Sequence, residues 1–347
     1  MRGWLSRARA STPVRALALL LLALVALGVA AAYALWGNPE LRFYRQAARV
    51  KLAWLAQLRH DYPHVVIVYG GSTCAFSIDV ERMRQRYGLP VANLGLHAGM
   101  EPLFLTAFAV AATRPGDTLV VALEPGLMIT PFNSPDLAAQ MGFSLGHPEL
   151  IHASNLTGEP IHWAEDLTSL RPGAYHFFTL LGKVLLRRPL YRYHPEDIHP
   201  GGWFQTQERR QLPEPDPSPA DLSPDSRALL VRLKQWGDTN RVRVMYSVPW
   251  IYCGQHGERG IRRLYLHFLQ QVAPIMPVLK DPTLGADPRP EDFADSDGHL
   301  TPSAAERRTD SLARQLQQQS FWTRAELDQL QRTEFAGRAG DAAAPGR

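Results

Sequence analysis

The pattern of apolar and polar positions begins with one uninterrupted block. Residues Ala16 to Trp36 carry no charged side chain. As a helix rising 1.5 Å per residue, this run is about 31 Å long, which matches the hydrocarbon core of a bilayer. No face of it is polar, so it lacks the stripe of a helix packed on a water-soluble core. The block predicts a transmembrane helix over 16–36. A cleaved signal peptide is the competing reading, because Ala30-Ala31-Ala32 and Ala32-Tyr33-Ala34 resemble small-residue cleavage sites. A signal core usually spans only about 7–15 apolar residues, which favours a retained anchor.

Beyond the block the pattern alternates. Residues 37–62 form a juxtamembrane helix, a stalk or surface element with Leu41, Phe43, Tyr44, Trp54 and Leu58 among basic residues. His64 to Tyr69 is a short β-branched run between Pro63 and Gly70-Gly71, the mark of a strand buried on both faces. Helical spacing from Ile78 to Tyr87 stops at Gly88. Val91 to Leu94 and Thr118 to Leu123 read as two more strands, with an apolar helix over 102–113 between them. Residues 127–222 break the alternation. They are rich in Pro, His and aromatic residues, and they read as an insertion that includes a proline-rich linker over 212–219. Ser223-Pro224 then joins an N-cap to a proline at the first helical position and opens a helix to Trp236. A fourth strand over 242–247, a helix over 259–272, a fifth strand over 276–280 and a helix from Thr301-Pro302 to Gln318 complete the series. Five strands alternating with helices predict an α/β domain over 63–320 on a doubly wound five-stranded parallel sheet. Residues 321–347 form a C-terminal tail that is partly disordered by composition.

Charge adds a direction. Arg2, Arg7, Arg9 and Arg15 precede the apolar block without an acid, which places residues 1–15 in the cytoplasm and the domain outside, in the periplasm. Arg42, Arg45, Arg49 and Lys51 on the far side narrow that bias. The formal net charge is only +4 and arginine is spread along the chain, which argues against a nucleic-acid partner. The two cysteines, Cys74 and Cys253, exclude a disulfide-dense scaffold and a zinc ribbon. They can pair in an oxidising compartment if their turns meet at one edge of the sheet. The histidines show no metal-ligand spacing.

In a doubly wound sheet, ligands bind at the carboxyl ends of the strands, so the residues leaving each strand carry the chemistry. After the first strand, Gly70-Gly71 turns the chain and Ser72 stands near a helix N-terminus. That position suits a nucleophile whose oxyanion is held by N–H groups, or simply a capped turn. After the second strand comes Asn93-Leu-Gly95-Leu-His97-Ala-Gly99. Before the last helix comes Asp295-Ser-Asp297-Gly298-His299-Leu300. An imidazole beside a carboxylate is what a serine nucleophile needs: the base takes the proton and the acid fixes its tautomer. Asp295 and Asp297 compete for that acid role, since alternate residues of an extended stretch share a side.

Taken together, these segments resemble the SGNH/GDSL hydrolase superfamily over roughly residues 63–318, interrupted by the insertion. Within it the chain looks like the exported, membrane-anchored branch associated with polysaccharide O-acetylation and exopolysaccharide assembly. There the first block often reads Gly-x-Ser and the last reads Asp, three residues, His-Leu. Ser72, and Asp295 with His299, fit those positions. Gly99 fits the second-block glycine better than Gly95. The resemblance implies a flavodoxin-like fold and Ser72 as nucleophile, His299 as base and Asp295 as its orienting acid. It also implies oxyanion donors from the N–H groups of Ser72 and Gly99, with no cofactor. The substrate it implies is an acylated carbohydrate polymer, with a membrane-bound partner to deliver the acyl donor if the enzyme transfers rather than hydrolyses.

One departure bears on this. The superfamily usually carries Gly-x-Asn-Asp after the third strand, where this chain has Leu123-Glu124-Pro125-Gly126. Glu124 lines the site in place of an asparagine and donates only when protonated. Losing one oxyanion donor costs about 10²–10³ in rate. The rival expectation is therefore a binding or assembly component of polysaccharide export that keeps the fold without efficient catalysis. Two further features have bland and functional readings. His97 lines the site or is a structural histidine. Lys183, Arg187, Arg188 and Arg192, with Tyr175, Phe177, Phe178, Tyr191, Tyr193 and Trp203, form a glycan-binding or membrane-facing surface, or a helix with one solvated face.

Overall fold

The computed structural model describes residues 12–132, 136–170, 174–212, 221–254 and 257–335. The first three arginines, nearly all of the proline-rich linker over 212–219, and the tail beyond 335 lie outside the described residues, as do the side chains of Tyr175 and Phe177. The chain opens with α1 (Thr12–Ala32), which continues through a π-helical turn, Tyr33–Gly37. Among the described residues this is the one helix long and apolar enough to cross a membrane. No residue of α1 is buried. Asn38 closes the π turn and caps the next helix, α2 (Pro39–Asp61), by accepting the Glu40 N–H at 3.1 Å.

The helix expected as a stalk or surface element forms, but it is packed into the domain. Leu41, Tyr44, Ala47, Ala48, Leu55 and Leu58 of α2 are buried in the core of the domain. Trp54 donates its indole N–H to the Val91 carbonyl at 3.0 Å. Exposed arginines between these positions mask the buried face in a linear reading. Lys51 is buried as well, with its ammonium over the Phe204 ring and donating to the Gly202 carbonyl. Burial pulls that ammonium down to about 7.

Strands β1 (Val66–Tyr69), β2 (Val91–Asn93), β3 (Thr118–Val121) and β4 (Arg243–Tyr246) match four predicted runs. β5 (Ile251–Tyr252), β6 (Val278–Leu279), β7 (Ala286–Asp287) and β8 (Phe321–Trp322) are two residues each. The main sheet has six strands rather than five, in the order β2-β1-β3-β4-β6-β8. Its first five are parallel and β8 pairs antiparallel with β6. β8 escapes a sequence reading because two residues have no period; it forms by pairing at the open edge. β5 and β7 make a separate parallel pair.

Helices α3 (Ser72–Ser77), α4 (Val80–Tyr87) and α5 (Glu101–Ala112) connect β1, β2 and β3. The insertion holds α6 (Pro125–Met128), α7 (Asp136–Leu145), α8 (Ser154–Thr157), α9 (Trp163–Thr168) and α10 (Ala174–Leu185). Then come α11 (Pro224–Thr239), α12 (Glu258–Val272), α13 (Pro302–Gln318) and α14 (Arg324–Phe335). The last occupies part of the predicted tail. The fold is thus α/β with a mostly parallel central sheet.

Cys74 and Cys253 do not form a disulfide. Cys74 follows β1 and donates to Asn93 Oδ1 at 3.5 Å, whereas Cys253 lies beyond β4 against the Gly254 carbonyl. Both thiols are free and buried, each in its own surroundings.

At the turn leaving β1, a Cβ on Gly70 would stand 2.2 Å from the Ala122 carbonyl oxygen, a backbone atom that cannot swing away. Gly126 has nothing within 4 Å. Gly70→Ala is expected to lose about 2–3 kcal/mol of stability through overpacking, while Gly126→Ala is neutral or slightly stabilising. Denaturation of the full chain in detergent checks this, and equal midpoints for the two variants would contradict it.

Candidate functional site

β1 runs through Gly70-Gly71 straight into α3, so Ser72 becomes the first helical residue. The helix predicted over Ile78 to Tyr87 is α4, and the short α3 before it was not predicted. Ser72 is half-buried, and its hydroxyl has no hydrogen-bond partner among the described residues. The next residue, Thr73, donates its backbone N–H to Glu124 Oε1 at 3.1 Å. Glu124 leaves β3 and caps this end of α3 from below. Its Oε2 is buried without a partner among the described residues. Burial pushes the Glu124 carboxyl up from its usual value, against the hydrogen bond from Thr73.

His299 arrives from the loop between β7 and α13. Its imidazole stacks on Phe76 of α3, with ring centroids 4.1 Å apart and planes at 16°. The loop comes this close because residue 298 is glycine: a Cβ there would stand 2.4 Å from Thr73 Oγ1. One short helix thus supplies both the serine and the platform for the histidine. His299 Nδ1 lies 2.8 Å from Asp295 Oδ1. Asp297, by contrast, is exposed, and its carbonyl accepts the Tyr252 N–H at 2.7 Å. The imidazole is paired with Asp295 and not with Asp297.

Asp295 is buried and gathers two more donors. Its Oδ2 accepts from Tyr193 Oη at 2.7 Å and from Arg192 Nη1 at 2.6 Å. Tyr193 Oη also lies 3.2 Å from His299 Nδ1. Burial alone would raise the Asp295 carboxyl; the hydrogen bond and charge of His299, then Tyr193 and Arg192, outweigh it and hold the group well below the usual carboxylate range. Asp295 therefore stays ionised and fixes Nδ1 as the donor, leaving Nε2 as the free base. Among the described residues no hydrogen bond joins Ser72 to His299; the two are linked through Phe76 and through Gly298 against Thr73.

The oxyanion side is arranged differently from the expectation. Gly99 donates its N–H to His97 Nδ1 at 2.9 Å, and Gly95 donates to Asn93 Oδ1 at 2.9 Å. Neither glycine presents an open N–H toward Ser72. His97 packs edge-on against Tyr44, and burial, with the charges of His299 and Arg192, lowers its imidazole to about 4. It is a neutral acceptor at the rim. Among the described residues, no group of three or more His, Cys, Asp or Glu side chains is placed to hold a metal ion.

Sequence reasoning assigned Arg192 and Tyr193 to a binding surface and overlooked Phe76. Arg192 and Tyr193 stand about a hundred positions from Asp295, and no spacing rule links them. The available signal was an aromatic and basic run, Tyr191-Arg192-Tyr193-His194, inside a long stretch without acids. Compared with protein-family models, curated proteins and solved structures, the chain gives no match.

Because burial favours the neutral acid, Glu124 binds its proton more tightly in the folded chain than in the unfolded one. Its contribution to stability is intact below the unfolded value of 4.5 and is lost as pH rises through the folded value. Glu124→Gln removes this titration. Its thermal midpoint, relative to the native chain, is expected to be smallest in difference near pH 4 and to climb as pH rises to about 8. A difference that does not change with pH would contradict the assignment.

Proposed function

We propose that the chain is a membrane-anchored esterase or O-acyltransferase of the SGNH type. It acts on an acylated carbohydrate polymer, with its domain on the outer face of the cytoplasmic membrane. The observation that carries this reading is the buried His299–Asp295 pair seated on the helix that begins with Ser72, at the carboxyl ends of parallel strands. The strand order β2-β1-β3-β4-β6 is also the doubly wound, flavodoxin-like order that such enzymes use.

The chemistry follows from these groups. Ser72 Oγ attacks the acyl carbonyl while His299 Nε2 takes its proton. Asp295, held by Tyr193 and Arg192, stabilises the imidazolium. The imidazolium then protonates the departing sugar oxygen, leaving an acyl group on Ser72. Water, or a second sugar hydroxyl, loses its proton to His299 and removes that acyl group.

A second reading, a binding or assembly component of polysaccharide export, draws on one specific feature. The Thr73 N–H is taken by Glu124 and the Gly99 N–H by His97, so a carboxyl stands where a donor is needed. Turnover of an aryl acetate separates the two. In the enzyme reading, Ser72→Ala and His299→Ala each lower the rate of the full chain by about 10³ or more. Asp297→Ala leaves it within a factor of a few. A native rate no higher than that of Ser72→Ala would reject catalysis and favour the binding reading.

A further inference from the structure

We infer that α10 and the groove beside it form a second membrane contact, which docks on the anionic phospholipid headgroups of the bilayer that α1 spans. The inference rests on α1 being a span and is independent of catalysis at Ser72.

Leu181, Val184 and Leu185 follow helical spacing on one face of α10, and they are 44, 54 and 73% exposed. Leu186, in the next turn, is 65% exposed. A contiguous apolar surface of this kind on a water-facing domain marks a contact with something else. The flanking residues say what. From Leu167 to Pro195 the sequence contains no acid, yet it holds Lys183, Arg187, Arg188 and Arg192. Apolar residues on one side with basic residues around them suit an interfacial helix on an anionic bilayer. A second copy of the chain suits it less, because a two-fold pairing sets these cations against their own images.

The position of the helix supports the same occupant. The segment after α10 runs back along α2 and makes with it a groove of about 490 Å³. Arg42, Arg45 and Arg49 line one wall, and Leu190, Tyr191 and Tyr193 line the other. α2 starts two residues after the end of the apolar helix at Gly37, so Arg49 is about 15 Å of helix from that exit. Arg45 Nη1 also donates to the Leu35 carbonyl at 3.2 Å, which ties the groove to the end of the span. The groove therefore begins at Pro39 and Arg42, within five residues of the end of the apolar helix. Guanidinium groups there meet phosphate oxygens with matched geometry, and tyrosines favour the same interfacial layer. The groove reaches Tyr193, whose hydroxyl is on Asp295. A docked headgroup would stand one side chain from the candidate catalytic pair.

The test places the full chain in nanodiscs of equimolar phosphatidylcholine and phosphatidylglycerol. A nitroxide is attached at Leu185→Cys or Leu186→Cys, with Glu196→Cys as an exposed control; Cys74 and Cys253 are buried. Labels at 185 and 186 are expected to collide with oxygen several-fold more often than with a water-soluble nickel chelate, and the control to do the reverse. Replacing phosphatidylglycerol with phosphatidylcholine, or introducing Arg42→Glu with Arg49→Glu, is expected to shift the 185 label several-fold toward the chelate. Labels at 185 and 186 as open to the chelate as the control would overturn the proposal. So would dipolar broadening between labels on two copies. Failure of the chain to enter nanodiscs would reject α1 as a span, and the docking surface with it.

Discussion

A carboxylate withdrawn from water stays ionised only where donors replace its hydration, and Asp295 shows how much of a fold one such group can organise. Its three donors come from two places: His299 lies four residues along the same loop, and Arg192 and Tyr193 come from within the insertion. Joining them requires the insertion to fold back over α3. Several contacts enforce that path. Phe204 donates its backbone N–H to the Ala75 carbonyl at 2.8 Å, and Trp203 donates its indole N–H to Glu81 at 2.8 Å. Lys51 binds the Gly202 carbonyl beneath the Phe204 ring. The result is an aromatic cluster of Phe43, Phe76, Tyr193 and Phe204 that holds the imidazole from behind.

The same neighbourhood carries an electrostatic conflict. A carboxyl group, Glu124, occupies the N-terminal end of α3 beside the serine, and its second oxygen is buried without a partner among the described residues. As an anion it opposes the charge that develops on a carbonyl oxygen at Ser72. As a neutral acid it offers an O–H to the same oxygen. Burial drives it toward the neutral form. The charge state of this one group therefore bears on whether the proposed Ser72, His299 and Asp295 chemistry can turn over.

How much of this was legible in the sequence varies with the range of the interaction. Runs of β-branched residues such as His64-Val-Val-Ile-Val-Tyr69 identify buried parallel strands, because both faces are apolar. Asp295 and His299 were legible because they lie four residues apart. Local spacing alone left Asp295 and Asp297 in competition, because alternate residues of an extended stretch share a side; the resemblance favoured Asp295, the acid that lies against Nδ1. β8 was too short to show a period. α2 looked like a stalk because Arg42, Arg45 and Arg49 interrupt its buried stripe. Gly99 looked like a donor to the site, but His97, two residues earlier, claims its N–H. Arg192 and Tyr193 lay beyond any local rule, because their partnership depends on the course of the whole insertion.

The most direct measurement is the site of modification by a fluorophosphonate, which phosphonylates a serine only where a base has activated it. The native full chain in detergent is incubated with the reagent, digested and analysed by mass spectrometry. The account predicts a single stoichiometric adduct on the peptide carrying Ser72, and its loss in His299→Ala. An unmodified Ser72 in a chain with an intact thermal transition, or an adduct that persists in His299→Ala, would contradict it.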